Sequence, residues 1–260
     1  MSQTSLATAS QLDDPAAVRH PDAAPSPTAD PLTFGVGARI TAAVMAADHV
    51  DVLTRALAAT PTGDLVVVTG DVSTYVGGAE DDLLRYVTDL GATLAATGHH
   101  VTLVVHLSRG CPGEVVCALP GGAGPRVVAP PTTDRTGAWA AAEWALYPLA
   151  DGVGAGGGVG PAAGAAAASD QQPDHMRDIE AAIAHARDLG TFRGSEHFVT
   201  RLEGDLADVL ATAFAGWLLA GRTVQHVTSH LTVSINSPSH AARDGEPSIA
   251  PTSARAGDAA

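Results

Sequence analysis

The chain contains no lysine: all 14 of its basic residues are arginines, set against 28 acidic ones, for a net charge of −14. Nucleic-acid binding needs clustered Lys and Arg to neutralise phosphates, and this balance argues against it. An acidic surface favours solubility and attracts cations. The missing lysine and the abundant alanine read as base composition and carry no functional message. Cysteine is almost absent too. Cys111 and Cys117 form no CxxC and no framework of paired spacings, which suits a reducing compartment and argues against a disulfide scaffold. Aromatics make up only 4% of the residues, so a core must be built from Ala, Val and Leu. No apolar run reaches membrane-spanning length; the uncharged stretch 152–168 is Gly and Ala, too weakly apolar for lipid. The first 30 residues lack a basic segment followed by an apolar one, so no secretory signal is expected and the expected location is cytoplasmic.

What is present is a foldable chain, with 45% hydrophobic and 16% charged residues over 260 positions. Residues 1–33 and 240–260 are rich in Ala, Pro, Ser and Asp without periodicity, and read as disordered tails. The Gly/Pro-rich segment 120–137 reads as a linker, and the Gly/Ala-rich segment 152–173 as a flexible insertion. Between them lie two blocks, 34–119 and 138–239.

The blocks resemble each other. A shift of 126 residues sets His100-Val101-Thr102 on His226-Val227-Thr228, and Val72 to Gly78 on Phe198 to Gly204. It also sets Ser108-Arg109-Gly110-Cys111-Pro112 on Ser234-Ile235-Asn236-Ser237-Pro238. Internal repeats of this kind mark a duplicated structural unit. In the first block a strand from Val36 runs towards a helix opened by Asp48, then a hairpin turns at Thr69-Gly70-Asp71. A helix with the stripe Leu83, Val87, Leu90 and Leu94 stops near Gly98, and Val101 to Leu107 is a β-branched strand. In the second block Trp144 to Leu149 reads as a strand, and Asp174 caps a helix with the stripe Met176, Ile179, Ile183 and Ala186. Phe198 to Leu202 is a hairpin strand, Leu206 to Leu218 an amphipathic helix by its 3-4-3-4 spacing, and His226 to Ile235 the closing strand. This order predicts an α+β protein of two tandem ferredoxin-like βαββαβ units, with helices on one face of antiparallel sheets. Exposed edges of such sheets commonly pair, which predicts a homodimer.

Five motifs in order now carry a resemblance. They are Asp71-Val72-Ser73-Thr74 with Gly78, Ser108 to Gly113, Ala145-Leu146-Tyr147-Pro148-Leu149, Thr200 to Asp205, and Ser234 to Pro238. Together they resemble the YkoF family over roughly residues 34–239. The resemblance implies ACT-like ferredoxin folds, dimerisation, and binding of thiamine or its hydroxymethylpyrimidine moiety as ligand, with no other cofactor. It further implies a part in thiamine-precursor uptake by an energy-coupling-factor (ECF) type ABC transporter, and a binding protein rather than an enzyme. In the family the Leu-Tyr-Pro type of sequence stands in both repeats. Here the first repeat has Ala43-Val44-Met45-Ala46 at the stretch aligned with Leu146 to Leu149, so the two sites are expected to differ.

An aminopyrimidine offers ring-nitrogen acceptors beside an amine donor on a flat apolar ring, and a selective site meets it with a few fixed polar groups and something flat. In the first block Asp71, Ser73 and Thr74 are candidates: Asp71 to accept from the amine, a hydroxyl to face a ring nitrogen. Ordinary turn chemistry explains the same residues equally well. Ser108, Gly110 and Cys111 end one closing strand, and Ser234, Asn236 and Ser237 the other; they are ligand-contact candidates or simply loop residues before Pro112 and Pro238. His197 and Thr200 align with Asp71 and Thr74, and Tyr147 is a candidate for stacking or for the core. Arg201 is expected to pair with Glu203 or Asp205, and Asp205 to cap a helix.

The 11 histidines form no metal motif; His226 and His230 lie two pleats apart on one strand, and no metal is expected. The Gly-rich 152–160 lacks the Gly-Lys-Ser/Thr ending of a phosphate loop. Two other functions fit less of the pattern. One is an ACT-like regulatory module that senses a ligand. The other is a thiamine or pyrimidine salvage hydrolase with Cys111 as nucleophile, for which no base is placed by a motif.

Overall fold

The computed structural model describes residues 30–110, 126–149 and 175–241. The first repeat runs β1 (Gly37–Val44), α1 (His49–Ala59), β2 (Val66–Thr69), β3 (Thr74–Gly77), α2 (Glu80–Ala95) and β4 (Val101–Arg109). The second runs β5 (Trp139–Leu149), α3 (His175–Asp188), β6 (Phe192–Glu196), β7 (Val199–Asp205), α4 (Leu206–Ala220) and β8 (His226–Ile235), followed by one turn of helix, α5 (Pro238–Ala241).

Alternation builds the strands. Along β4, Val101, Leu103, Val105 and Leu107 are fully buried while Thr102, Val104, His106 and Ser108 face the other way. Along β8 the buried row is Val227, Ser229, Leu231, Val233 and Ile235. Helical spacing builds the layer that covers this row. Leu83, Val87, Leu90 and Leu94 of α2 are buried, as are Leu206, Val209, Leu210, Ala213, Phe214, Trp217 and Leu218 of α4. The helices pack side by side in the order α1, α2, α4, α3. The opposite face of the sheet carries Arg39, Thr41, His106, His230, Glu143 and Tyr147, all exposed.

Every ladder is antiparallel, and all eight strands form one sheet in the order β2-β3-β1-β4-β8-β5-β7-β6. The repeats are therefore not two separate sheets. Their last strands pair from Val101↔Ile235 to Arg109↔Val227, and this seam uses one edge of each unit inside the chain. The outer edges of the sheet are the short strands β2 and β6.

Elsewhere the structure departs from the periodicity. β3 begins at Thr74, two residues later than Val72, because Gly70 N–H donates to Ser73 O at 3.1 Å and closes a four-residue turn. β5 begins at Trp139, with Ala140 and Ala142 buried in the core where small residues fit beneath α4. The row of α3 that is buried is Asp178, Ala182 and Ala186, not Met176, Ile179 and Ile183. Only small residues let α3 approach α4: a Cβ on Gly216 of α4 would stand 3.1 Å from Ala182 Cβ. The larger apolar side chains turn towards a cleft instead. β6 carries Gly and Ser and gives little strand signal; its pairing with β7, irregular between Phe192 and Gly194, supplies the order.

A buried charge cluster fixes the far end of the first repeat. Glu80, at the start of α2, accepts from Arg126 Nε at 2.9 Å and Nη2 at 3.2 Å, and from Arg109 Nη1 at 3.5 Å. Arg109 is fully buried, donates to the carbonyls of Arg126 and Leu218, and lies over the Trp217 ring. Burial lowers its pKa to about 10, with Glu80 pulling the other way.

Candidate functional site

Each repeat has a cleft between its first strand, its first helix and its β-hairpin. In the first repeat Ile40, Thr41 and Ala42 of β1, Leu53 and Leu57 of α1, Leu90 of α2 and the hairpin residues Gly70 to Thr74 enclose a volume of about 190 Å³. In the second, Trp144 to Tyr147 of β5, Met176, Ile179 and Ile183 of α3 and the hairpin residues Ser195, Glu196 and Phe198 to Thr200 enclose about 380 Å³.

The register makes these clefts equivalent. Thr74 pairs with Ile40 and Thr200 with Trp144, and Gly78 and Gly204 share the same φ of 152°. Ala43 pairs with Thr102 and Tyr147 with Thr228, so Ala43 is the counterpart of Tyr147 and Ala42 that of Leu146. The sequence alignment of Ala43 to Ala46 on Leu146 to Leu149 was one residue out of step. A slip of one residue exchanges the two faces of a strand, and only the strand pairing fixes it. In the correct register the first repeat still has alanine where the second has tyrosine.

The structure gathers one set of candidates and disperses the other. Asp71, Ser73 and Thr74 all line the first cleft. The Asp71 carboxyl stands at the exposed rim. Thr74 is buried, with its hydroxyl 3.2 Å from that of Thr69. Ser73 Oγ accepts from Arg39 Nη1 at 3.4 Å, and the Thr41 hydroxyl donates to Val72 O at 3.1 Å. Tyr147 and Thr200 line the second cleft, Tyr147 half exposed and Thr200 buried. His197 stands at the exposed tip of the β6–β7 hairpin between two lining residues, Glu196 and Phe198.

The closing-strand residues lie apart from both clefts. Ser108 pairs with Gly37 and Thr228. Gly110 has φ 66° and donates its N–H to Phe34 O; a Cβ there would fall 2.3 Å from Gln225 O, so glycine is required for packing. Cys111 lies outside the described residues. Ser234 Oγ is 2.9 Å from His100 Nε2. Asn236, at φ 54°, donates through Nδ2 to Ala95 O and His99 O and so closes the C-terminal end of α2. Ser237 bonds Ser239 at the start of α5.

Lining residues not singled out from sequence include Thr41, Leu53 and Leu57 in the first cleft, and Trp144, Glu196, Phe198 and the α3 row Met176, Ile179 and Ile183 in the second. Trp144 is held by its Nε1–H donating to Ser229 Oγ at 2.8 Å and by the space above Gly216. The α3 row was visible as an apolar stripe, but periodicity alone does not distinguish a core face from a cleft face. Arg201 does pair with Glu203, and Asp205 does cap α4 by accepting from Ala207 N–H.

Chemically, each cleft offers an apolar floor, a buried threonine hydroxyl and a carboxylate at the hairpin: Asp71 in the first, Glu196 in the second. Among the described lining residues neither cleft holds a histidine or a cysteine. Among all described residues no group of three or more His, Cys, Asp or Glu is placed to hold a metal ion. No described helix is long and apolar enough to cross a membrane.

Fold and site together define an internally duplicated α+β protein with one small-molecule-sized cleft in each repeat. The sequence model of the YKOF-related family matches residues 35–114 and 171–240, more than half of the chain, and the chain belongs to that family. It is also similar to the protein YkoF of Bacillus subtilis (strain 168), 27% identical over 203 residues that cover 78% of this chain and 91% of the relative. The name of that relative gives it, provisionally, as a binding protein for HMP (hydroxymethylpyrimidine) or thiamine.

Proposed function

We propose that this protein binds thiamine or its hydroxymethylpyrimidine moiety in the two hairpin clefts, and holds the ligand without converting it. The observation that carries this reading is the recurrence of one cleft, in one register, with Thr74 and Thr200 at the same place and a carboxylate beside each. A carboxylate at the rim accepts from an exocyclic amine and complements a cationic ligand, and a buried hydroxyl serves a ring nitrogen. The name of the Bacillus subtilis relative points to the same ligand class.

Each half has the chain order βαββαβ and the strand order 4-1-3-2, which supports reading it as a ferredoxin-like, ACT-like unit. Apart from α5, whose His240 stacks on Trp139 at one end, the face of the sheet opposite the helices carries no covering layer among the described residues, and a second copy is the partner we assign to it. Delivery to an ECF-type ABC transporter is the role in which such a binder fits thiamine-precursor uptake.

Calorimetry tests the reading. Hydroxymethylpyrimidine and thiamine are titrated into the protein, with a pyrimidine lacking the exocyclic amine as control. Saturable heat with the first two and little with the control is the expected result, at up to two ligands per chain. No heat and no thermal shift with either would overturn it.

A further inference from the structure

Two non-glycine residues among those described have a left-handed backbone, Asn236 and Phe198. Asn236 is accounted for by the two carbonyls it caps. Phe198 has no such account. It sits at φ 67° in the two-residue turn between Glu196 and Val199, at the second position, where a positive φ calls for glycine. A bulky aromatic residue in this region is strained. Its side chain is 98% exposed, so no packing in the free protein offsets the strain or the cost of showing a phenyl ring to water.

Its position is specific. Phe198, exposed at the hairpin tip, lines the larger cleft together with Tyr147 and the apolar row Ile179 and Ile183. The counterpart in the first repeat, Val72, is also apolar, 82% exposed, and at the mouth of the smaller cleft. Both hairpin tips thus present an unpacked apolar side chain beside an opening where turn chemistry favours Gly, Asn or Asp.

We propose that Phe198 is the clamp of the second cleft: its ring closes on the flat heteroaromatic ring of the bound ligand and shields it from water. This rests on the binding function proposed above and adds a residue that sets affinity at one of the two sites. Stacking of aromatic rings gives the contact its preference for flat ligands over aliphatic ones of equal size.

The test pairs stability with affinity in three proteins: the parent, Phe198→Gly and Phe198→Tyr. Thermal unfolding and calorimetry with thiamine and with hydroxymethylpyrimidine are measured on each. Relief of backbone strain is expected to raise the Tm of Phe198→Gly by roughly 2–4 °C. The same variant is expected to weaken one class of site by about three- to tenfold and leave the other unchanged. Phe198→Tyr keeps the ring and is expected to bind as the parent does. A raised Tm with both affinities unchanged would make Phe198 a strained turn residue only, and the clamp would fall while the binding function stood. A lowered Tm, a loss at both sites, or a Phe198→Tyr variant as weak as Phe198→Gly would also overturn the clamp. Absence of binding by the parent protein would remove the binding function itself, and the clamp with it.

Discussion

At the scale of single residues, the structure separates the hairpin candidates, which line the clefts, from the strand-end candidates, which do not. Asp71, Ser73 and Thr74 are short polar residues in a turn, and the hairpin brings all three to one cleft. Ser108, Ser234, Asn236 and Ser237 recur at the repeat offset too; they lie on or just after the closing strands, apart from both clefts, with Asn236 capping α2. Residue type and repetition do not tell these two placements apart; strand pairing and register do. Asp71 carries the sharpest expectation. Its replacement by Asn keeps the shape and removes the charge, and a hydrogen bond to a charged group contributes about 1.5–3 kcal/mol. Asp71→Asn should therefore weaken hydroxymethylpyrimidine binding at the first cleft by roughly tenfold or more. Calorimetry resolves this as a change in one class of site with unchanged heat at the other.

At the scale of elements, α2 and the closing strands followed their periodicities; α4, expected to be amphipathic, is buried nearly all round because α2, α3 and the sheet all pack on it, and α3 and β6 did not follow theirs. The apolar row of α3 faces a cleft, and β6 is ordered by its partner rather than by its own residues. Two junctions that position the elements make predictions. Glu80 meets Arg126 through both carboxylate oxygens and Arg109 through one, deep in the first repeat. Glu80→Gln leaves two buried guanidinium groups without a countercharge, and breaking a buried pair costs about 3–5 kcal/mol. Chemical denaturation should show that loss as a lower midpoint with little change in slope.

Asp205 ties the other junction. Its carboxylate caps α4 through Ala207 N–H and also accepts from Thr136 and Gly137 ahead of β5. Burial alone would raise its pKa, but these donors outweigh it and hold the group below its ordinary 3.8. A carboxyl with a depressed folded-state pKa stabilises the fold above its unfolded pKa, and that contribution is lost as the pH falls through the folded value. Asp205→Ala should lose about 1 kcal/mol or more at neutral pH. The gap from the parent should close in acid below about pH 4, as read from Tm against pH.

At the scale of the whole molecule, the duplication was legible but the joining of the two sheets was not. Nothing in the alternation of β4 or β8 says whether an edge faces solvent or another strand. The seam places His106 beside His230, ring centroids 6.4 Å apart on the open face, with Arg39 as the other strand neighbour of His106. Burial, and then the neighbouring His230, lower the His106 pKa below its ordinary 6.5. The stabilisation associated with neutral His106 is thus present above pH 6.5 and lost as the pH falls through the lower folded value. Thermal unfolding between about pH 7.5 and 5 should decline less steeply for His106→Asn than for the parent protein.

The seam between β4 and β8 also bears on how the two halves can diverge. A single βαββαβ unit that paired with its twin through its last strand would make this same eight-stranded sheet from two separate chains. The covalent chain is in that sense a dimer made permanent, and permanence lifts a constraint. Two identical subunits must change together, whereas two halves of one chain change independently. Val72 and Phe198, Ala43 and Tyr147, Asp71 and His197 are pairs that no symmetric dimer could hold. One half can keep a small, polar receptacle while the other widens its own and lines it with rings, and a single chain then presents two clefts of unequal size and chemistry.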